Sequence, residues 1–103
     1  RLLESGLEFD GLFAVTDLIA FGALKCLRKS GVKVPQDISV VGFDDLPAAT
    51  YFSPSLTTIR QDTRLAAEAL VKNLIGLING EKVQSHQLPL SLKIRGSCGG
   101  RKP

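Results

Sequence analysis

The feature that most constrains the fold is a strand–helix–strand pattern over residues 11–43. A short apolar run at residues 12–15 precedes a segment with helical spacing, and a second β-rich run follows at residues 38–43. Short continuous apolar runs are typical of parallel strands that are buried on both faces. Two such strands need a long crossover between them, usually a helix. The pattern therefore predicts an α/β fold with a parallel sheet.

The predicted helix begins at the capping pair Thr16 and Asp17 and ends before Gly31. Thr and Asp side chains accept hydrogen bonds from the free amides at a helix start, and glycine adopts the left-handed conformation that ends a helix. An apolar stripe along the helix is expected to cover the sheet. The stripe consists of Ile19, Ala20, Ala23, Leu24 and Leu27.

The second half of the chain predicts a third strand and a longer helix. Residues 56–59 are rich in β-branched side chains. A helix capped by Asp62 or Thr63 then runs to about Asn79, and Gly80 is placed to end it. The apolar face of this helix consists of Ala66, Ala67, Leu70, Val71, Leu74, Leu77 and Ile78.

The end of the chain holds two short alternating segments, residues 84–88 and 90–95, which predict edge strands or extended passages. A basic, glycine-rich tail at residues 97–103 is expected to be a frayed terminus and not a binding arm. Residues 93–103 contain four of the thirteen basic residues and none of the ten acidic ones. The remaining body, with nine basic and ten acidic residues, is nearly neutral, unlike a surface that tracks nucleic-acid phosphates.

Composition excludes several classes of protein. The chain has 103 residues, of which 44% are hydrophobic and 22% charged. These values describe an ordinary soluble domain or a piece of one, not a collagen-like, coiled-coil or disordered chain. No apolar run approaches the roughly 18–20 residues that cross a bilayer, so no membrane partner is expected. Two distant cysteines without CxxC spacing indicate a reducing compartment and argue against a disulfide scaffold or a metal site.

The residues that catalysis requires are scarce. His86 is the single histidine, and it lies in a polar segment without a serine or cysteine motif beside it. The sequence contains no GxSxG, Walker A, GxGxxG or HExxH motif. We therefore expect no enzyme activity, no cofactor and no metal.

Polar residues follow each of the three predicted strands. They are Thr16 and Asp17 after the first, Asp44 and Asp45 after the second, and residues 60–62 after the third. Ligands of parallel α/β sheets bind outside the carboxyl ends of the strands, where carboxylates and amides can hydrogen-bond a sugar or nucleoside. The same residue types also suit helix caps and Asx-turns. The spacing favours neither interpretation over the other.

A contact surface is predicted on the first helix. Leu18 and Phe21 project from the side that also carries basic residues, and Tyr51 and Phe52 lie in a loop placed to extend the patch. An exposed Phe with a neighbouring Leu indicates a surface that binds another protein. Alternatively, other parts of the same polypeptide cover these side chains.

Two stretches resemble a known family. VPQDISVVGFDD (residues 34–45) and SPSLTTIRQ (residues 53–61) resemble phrases in the effector-binding domain of bacterial transcription regulators of the lac/galactose/purine repressor family. FAVTD (residues 13–17) precedes them in the same order. The resemblance covers residues 10–96.

The resemblance implies a Rossmann-like C-terminal lobe of a type I periplasmic-binding-protein-like fold, incomplete in this chain. Residues 10–61 would belong to the second lobe, residues 62–85 to a crossover whose helix packs in the first lobe, and residues 86–96 to the return. The DNA-binding head would lie upstream of Arg1 and is expected to be absent from these residues. Part of the apolar face of the crossover helix would then be exposed.

The resemblance also implies an effector-binding set. Asp44 matches an aspartate that hydrogen-bonds ligand hydroxyls or ring atoms, and Gln61 matches a position that often faces the cleft. Thr16 stands where sugar-binding members frequently have Asn. Asp17 completes the set and is also expected to cap the helix.

The resemblance further implies a homodimer whose interface includes Leu18, Phe21, Tyr51 and Phe52. The chain is thus predicted to be the effector-sensing and dimerisation region of a cytoplasmic bacterial transcription regulator, expected to be a repressor. A small sugar- or nucleoside-like molecule would bind between two lobes, and DNA would bind only through the N-terminal head. The alternative is a periplasmic sugar-binding component of a transporter, which shares the fold.

Overall fold

The computed structural model describes residues 1–100, and the last three residues of the predicted tail lie outside the described part. Short strands alternate with two long helices and one short 3-10 helix. In chain order these elements are β1 (Gly11–Phe13), α1 (Asp17–Lys29), β2 (Ser39–Val41), the 3-10 helix (Pro47–Thr50), β3 (Thr58–Gln61), α2 (Thr63–Ile78) and β4 (Leu90–Lys93).

The strands of the first half run parallel. β1 pairs with β2 in parallel register, with Leu12 beside Val40. A parallel bridge between Val41 and Thr57 brings the chain that enters β3 against the other side of β2. β3 and β4 form a second two-stranded sheet. The predicted α/β class with a parallel sheet is confirmed.

The strands are shorter than the sequence pattern predicts, and the third begins later. Residues 56–59 were expected to form it, but β3 starts at Thr58 because the Leu56 amide donates to the Ala49 carbonyl at 2.8 Å instead of joining the sheet. Of the two predicted end segments, residues 90–93 form β4, whereas residues 84–88 lie outside the strands that the structure describes.

The ends of α1 lie where the capping residues predict. The Thr16 hydroxyl accepts a hydrogen bond from the Ile19 amide at 3.3 Å, so Thr16 is the N-cap. Asp17 is the first helical residue and not the cap, which corrects its predicted capping role. Gly31 has φ +75°, the left-handed conformation expected just beyond the helix end.

The face that α1 buries differs from the predicted stripe. Ile19 is 55% exposed, whereas Phe21, predicted to be exposed, is only 9% exposed. The ring of Phe21 stacks on that of Phe52, with centroids 4.2 Å apart and planes inclined by 13°. This stack rotates the buried stripe away from Ile19. The stripe consists of Asp17, Ala20, Phe21, Leu24 and Leu27.

The core lies between α1 and the parallel strands, in a compact unit formed by residues 1–60 and the chain from Leu92 onward. Val40 from β2 and Leu56 from the approach to β3 are both completely buried. Each such aliphatic side chain contributes roughly 1.5–3 kcal/mol through removal from water. This packing fixes α1 against the parallel strands.

Residues 61–91 form the other compact unit, which contains α2. The Asp62 carboxylate accepts from the Leu65 amide at 3.0 Å, so Asp62 is the N-cap. Gly76 is the buried residue of this helix, while Leu70, Leu74 and Ile78 are 71%, 58% and 74% exposed. The predicted exposure of the apolar face is confirmed. The assignment of this helix to a first lobe stays a prediction.

Among residues 1–100, neither helix has the length and apolar character that crossing a bilayer requires.

The exposed face of α2 is expected to drive association of the chain with itself. The double variant Leu70→Glu/Leu74→Lys should reduce species larger than dimers, because it replaces two exposed leucines by a favourable i,i+4 charge pair. The free energy of unfolding should change by less than about 0.5 kcal/mol, since neither leucine is buried. Sedimentation velocity and urea denaturation measure the two effects.

Leu24→Ala is the matched control because Leu24 is 5% exposed. This change should lower the free energy of unfolding by about 2–5 kcal/mol without reducing association. Undiminished large species in the double variant would show that α2 is not the associating surface.

Candidate functional site

The polar segments that follow β1 and β2 meet beside β3, at one edge of the parallel strands. Because these strands run parallel, their carboxyl ends point the same way. The Asp17 amide donates to the Phe43 carbonyl, and the Asp44 amide donates to the Ile59 carbonyl, both at 2.9 Å. The segment after β2 is therefore hydrogen-bonded to its neighbours on both sides.

Asp17 joins three segments through its buried carboxylate. One oxygen, Oδ1, accepts from the Thr58 hydroxyl at 2.5 Å, and the other, Oδ2, accepts from the Leu46 amide at 2.7 Å. The residue has 0% exposure. A Cβ atom on Gly42 would overlap Oδ1, so the absence of a side chain there makes room for the carboxylate. Asp17 stabilises the fold by linking α1, β3 and the loop after β2.

This geometry corrects the prediction that Asp17 belongs to the effector-binding set. A ligand needs an accessible carboxylate, and both oxygens of Asp17 are buried and hydrogen-bonded within the chain. Thr16 is partly exposed, but its hydroxyl serves as the helix N-cap. Asp17 therefore has a structural role and not the ligand-binding role that was the other interpretation of this pair.

Asp44 and Asp45 adopt backbone conformations that residues with side chains rarely take. Asp44 has φ +124° and Asp45 has φ +56°, and both are partly buried. Such conformations cost on the order of 1–3 kcal/mol each and persist where surrounding contacts fix them. They occur preferentially at functional sites. This strained pair is the strongest local indication of a binding site in the chain.

Arg95 holds the strained pair from the segment beyond β4. Its Nη2 atom lies 2.7 Å from the Asp45 carboxylate, and the two side chains are 18% and 12% exposed. Its Nη1 atom donates to the Leu56 carbonyl at 3.0 Å. The backbone amide of Arg95 donates to the Thr57 hydroxyl at 2.9 Å. The guanidinium thus connects the loop after β2 to the chain that enters β3.

Sequence reasoning missed Arg95, which it counted among the basic residues near the chain end. A buried arginine is rare unless it is paired with an acid. Its position at the end of the predicted alternating segment 90–95 was the available signal, but its partner Asp45 is distant in sequence.

Gln61 ends β3 and is exposed. Arg60, the residue before it, forms a parallel bridge with Asp44. The chain therefore passes the strained loop immediately before it reaches Gln61.

The four predicted interface residues are not equally exposed. Leu18 and Tyr51 are 70% and 86% exposed, and Phe52 is 37% exposed. Phe21 lies beneath Phe52 in the stacked pair, which corrects the prediction that it is exposed. For Phe21, the alternative that the same polypeptide covers it is the one observed.

Within the described residues, no cluster of three or more His, Cys, Asp or Glu side chains is placed to hold a metal ion. Cys26 and Cys98 are free thiols.

The chain combines a parallel α/β unit with an acidic loop of positive φ at the carboxyl edge of the strands, the edge at which α/β domains bind their ligands. The periplasmic binding protein-like domain family matches residues 3–98. The chain therefore belongs to this family, and its relatives are LacI-type transcription regulators. The resemblance to lac/galactose/purine repressors is confirmed.

The chain is similar to the HTH-type transcriptional regulator MalR of Clostridium butyricum, with 37% identity over 99 residues. That match covers 95% of this chain and 30% of the relative.

Two solved structures share the fold. One is the lac repressor dimer bound to operator and the anti-inducer ONPF, with 38% identity, a TM-score of 0.85, and coverage of 94% of this chain and 34% of that chain. The other is the transcriptional regulator CelR in complex with cellobiose, with 36% identity, a TM-score of 0.83, and coverage of 93% and 30%. The chain thus spans about a third of the length of the proteins it matches.

Replacement of Asp17 by Ala should destabilise the chain by about 2–4 kcal/mol, because the Thr58 hydroxyl and the Leu46 amide lose their buried acceptor. Urea denaturation followed by circular dichroism measures the change. Asp17→Asn, which keeps one acceptor oxygen, should give a smaller loss.

The matched control is Asp10→Ala, which removes an exposed carboxylate just before β1 and should change the free energy of unfolding by less than about 0.5 kcal/mol. Equal urea midpoints for Asp17→Ala and Asp10→Ala would contradict the linking role of Asp17.

Proposed function

We propose that this chain is the effector-sensing and dimerisation region of a cytoplasmic bacterial transcription regulator, expected to be a repressor. It senses a small sugar- or nucleoside-like molecule and catalyses no reaction. The observation that carries the proposal is the strained Asp44-Asp45 pair at the carboxyl edge of the parallel strands. Family membership supports the function as a transcription regulator. The carboxylate and amide side chains at the carboxyl edge of the strands support a sugar- or nucleoside-like ligand.

Asp44 is proposed as the main ligand residue of this chain. A carboxylate accepts hydrogen bonds from two or more hydroxyls, which orients a polyhydroxy ligand better than a neutral side chain does. The CelR relative is seen with cellobiose, which supports a sugar as the class of effector. Gln61 can both donate and accept hydrogen bonds from the end of β3, and Thr16 lies at the start of α1 on the same edge.

The regulator is favoured over the transporter component because the relatives with the same domain are transcription regulators. The nearly neutral body supports DNA binding through a separate N-terminal head. Ligand held between two lobes would favour one lobe orientation, provided that its affinity differs between the two arrangements. In a dimer, that preference would change the spacing of the two DNA-binding heads.

Leu18, Tyr51 and Phe52 are proposed to form the dimer interface, with Phe21 supporting Phe52 from below. Leu18 and Tyr51 expose large apolar surfaces at the level of α1 and of the loop that follows the 3-10 helix. The lac repressor relative is described as a dimer, which supports this partner.

The effector proposal is tested on the protein encoded by the whole open reading frame that contains this chain. Calorimetric titration with cellobiose, galactose and adenosine should give saturable heat with at least one probe. Asp44→Ala should lower that affinity roughly ten- to hundredfold, the loss expected for hydrogen bonds to a charged group. Residues 1–103 alone should give no saturable heat, because the second wall of the cleft is proposed to come from another lobe.

Asp10→Ala is the matched carboxylate control and should leave the affinity unchanged. Absence of heat with all three probes, or full affinity in Asp44→Ala, would contradict the effector proposal.

The dimer proposal is tested on the chain of residues 1–103 that carries Leu70→Glu and Leu74→Lys, the two substitutions expected to suppress association through α2. Tyr51→Asp and Leu18→Asp should each convert dimers to monomers in sedimentation equilibrium, because each places a charge in an apolar contact. Leu7→Asp is the control, since Leu7 is 63% exposed and lies outside the proposed interface.

Phe21→Asp is unsuitable for this test because Phe21 is buried, and the change would destabilise the fold itself. An unchanged dimer in both Tyr51→Asp and Leu18→Asp would show that the interface lies elsewhere.

A further inference from the structure

The loop that contains Asp44 is fixed at its two ends by hydrogen bonds that its backbone amides donate. The Asp44 amide donates to the Ile59 carbonyl at 2.9 Å, and the Leu46 amide donates to the Asp17 carboxylate at 2.7 Å. Between these two points lie the φ and ψ angles of Asp44 and Asp45, and both residues have positive φ. A conformation this rare for residues with side chains relaxes unless further contacts maintain it.

The ion pair between Asp45 and Arg95 is one such contact. The amide of Asp45 is held only loosely, at 3.4 Å from the Thr58 hydroxyl, whereas its carboxylate lies 2.7 Å from Arg95 Nη2. Both side chains are largely buried, so the pair is poorly screened by water.

Arg95 is itself rigidly placed. Its second guanidinium nitrogen donates to the Leu56 carbonyl, and its backbone amide donates to the Thr57 hydroxyl. Leu56 and Thr57 are 0% and 1% exposed, so they belong to the fixed core. The ion pair with Arg95 therefore fixes the Asp45 carboxylate relative to the core.

The geometry points to Arg95 as a positioning residue for effector binding, which acts through Asp45 to hold Asp44 in its binding conformation. This inference rests on the proposed role of Asp44 and adds to it a residue that need not touch the effector. The segment beyond β4 thereby takes part in the site, although the polar residues recognised from sequence all precede α2.

The first test reads the loop directly and needs no ligand. In the ¹⁵N-labelled full chain, three-bond HN–Hα coupling constants report φ at Asp44 and Asp45. Arg95→Met should change both couplings, and Arg95→Lys, which keeps the charge but lacks the planar fork, should change them less. Arg64→Met is the matched control, because it removes an arginine from an exposed ion pair with Glu68 in α2 and should leave both couplings unchanged.

Asp45→Asn removes the negative charge of the ion pair with little change of side-chain shape. If Arg95→Met does not fold, Asp45→Asn tests in its place whether the pair holds the Asp44 conformation. This variant should shift the Asp44 coupling in the same direction, and the double variant Arg95→Met/Asp45→Asn should shift it no further. A folded Arg95→Met or Asp45→Asn protein with wild-type couplings at Asp44 would overturn the inference.

The second test uses the protein of the whole open reading frame and cellobiose as the probe. Arg95→Met and Asp45→Asn should each weaken cellobiose binding by roughly tenfold, and the double variant by no more than either alone. Additive losses of cellobiose affinity in the double variant would overturn the inference that Arg95 acts through Asp45. If the unmodified protein binds galactose or adenosine instead of cellobiose, that probe is used for the same comparison. Failure to bind any of the three would count against the proposed effector class, while the coupling constants would still decide the role of Arg95.

Discussion

The buried carboxylate of Asp17 is the interaction on which the rest of the structure depends. A buried carboxylate without partners would be severely destabilising, and here the Thr58 hydroxyl and the Leu46 amide provide them. Satisfying Asp17 thus requires the first turn of α1, the start of β3 and the loop after β2 to meet at one point. Gly42 leaves the space that the carboxylate occupies. The parallel order of the strands, the placement of α1 over them and the path of the loop that carries Asp44 all satisfy this single requirement.

Features set by local chemistry could be predicted from the sequence. One member of each predicted capping pair, Thr16 and Asp62, is the N-cap, and Gly31 and Gly80 follow the helix ends with positive φ, because capping depends on residues within one turn. The phase of α1 could not be predicted in this way. Phe21 is buried because its ring stacks on Phe52, a residue beyond β2, and the helical spacing by itself allowed Ile19 to face the sheet.

The candidate site shows the same division between local and long-range information. The edge that carries it follows from parallel strands, so the polar residues after each strand could be located from sequence. Which aspartate has a buried structural role and which is proposed to bind a ligand could not be predicted, because Asp17 and Asp44 have identical chemistry and similar positions after a strand. The difference arises from Thr58 and Leu46, which enclose Asp17, and from Arg95, which pairs with Asp45. These partners are far apart along the chain and follow no sequence periodicity.

α1 connects the two surfaces that the proposed function requires. Its first residue, Asp17, is hydrogen-bonded to the loop that carries Asp44, while Leu18 lies next to it and faces solvent. One turn further along, Phe21 stacks on Phe52, so the loop after the 3-10 helix is tied to the same helix. A displacement of the Asp44 loop should therefore also move α1. The contacts that link the loop and the helix are buried or stacked, and a close-packed interior transmits such displacements. If an effector shifts the Asp44 loop, the shift would pass through α1 to the proposed dimer surface. Ligand binding could in this way change the arrangement of the two subunits.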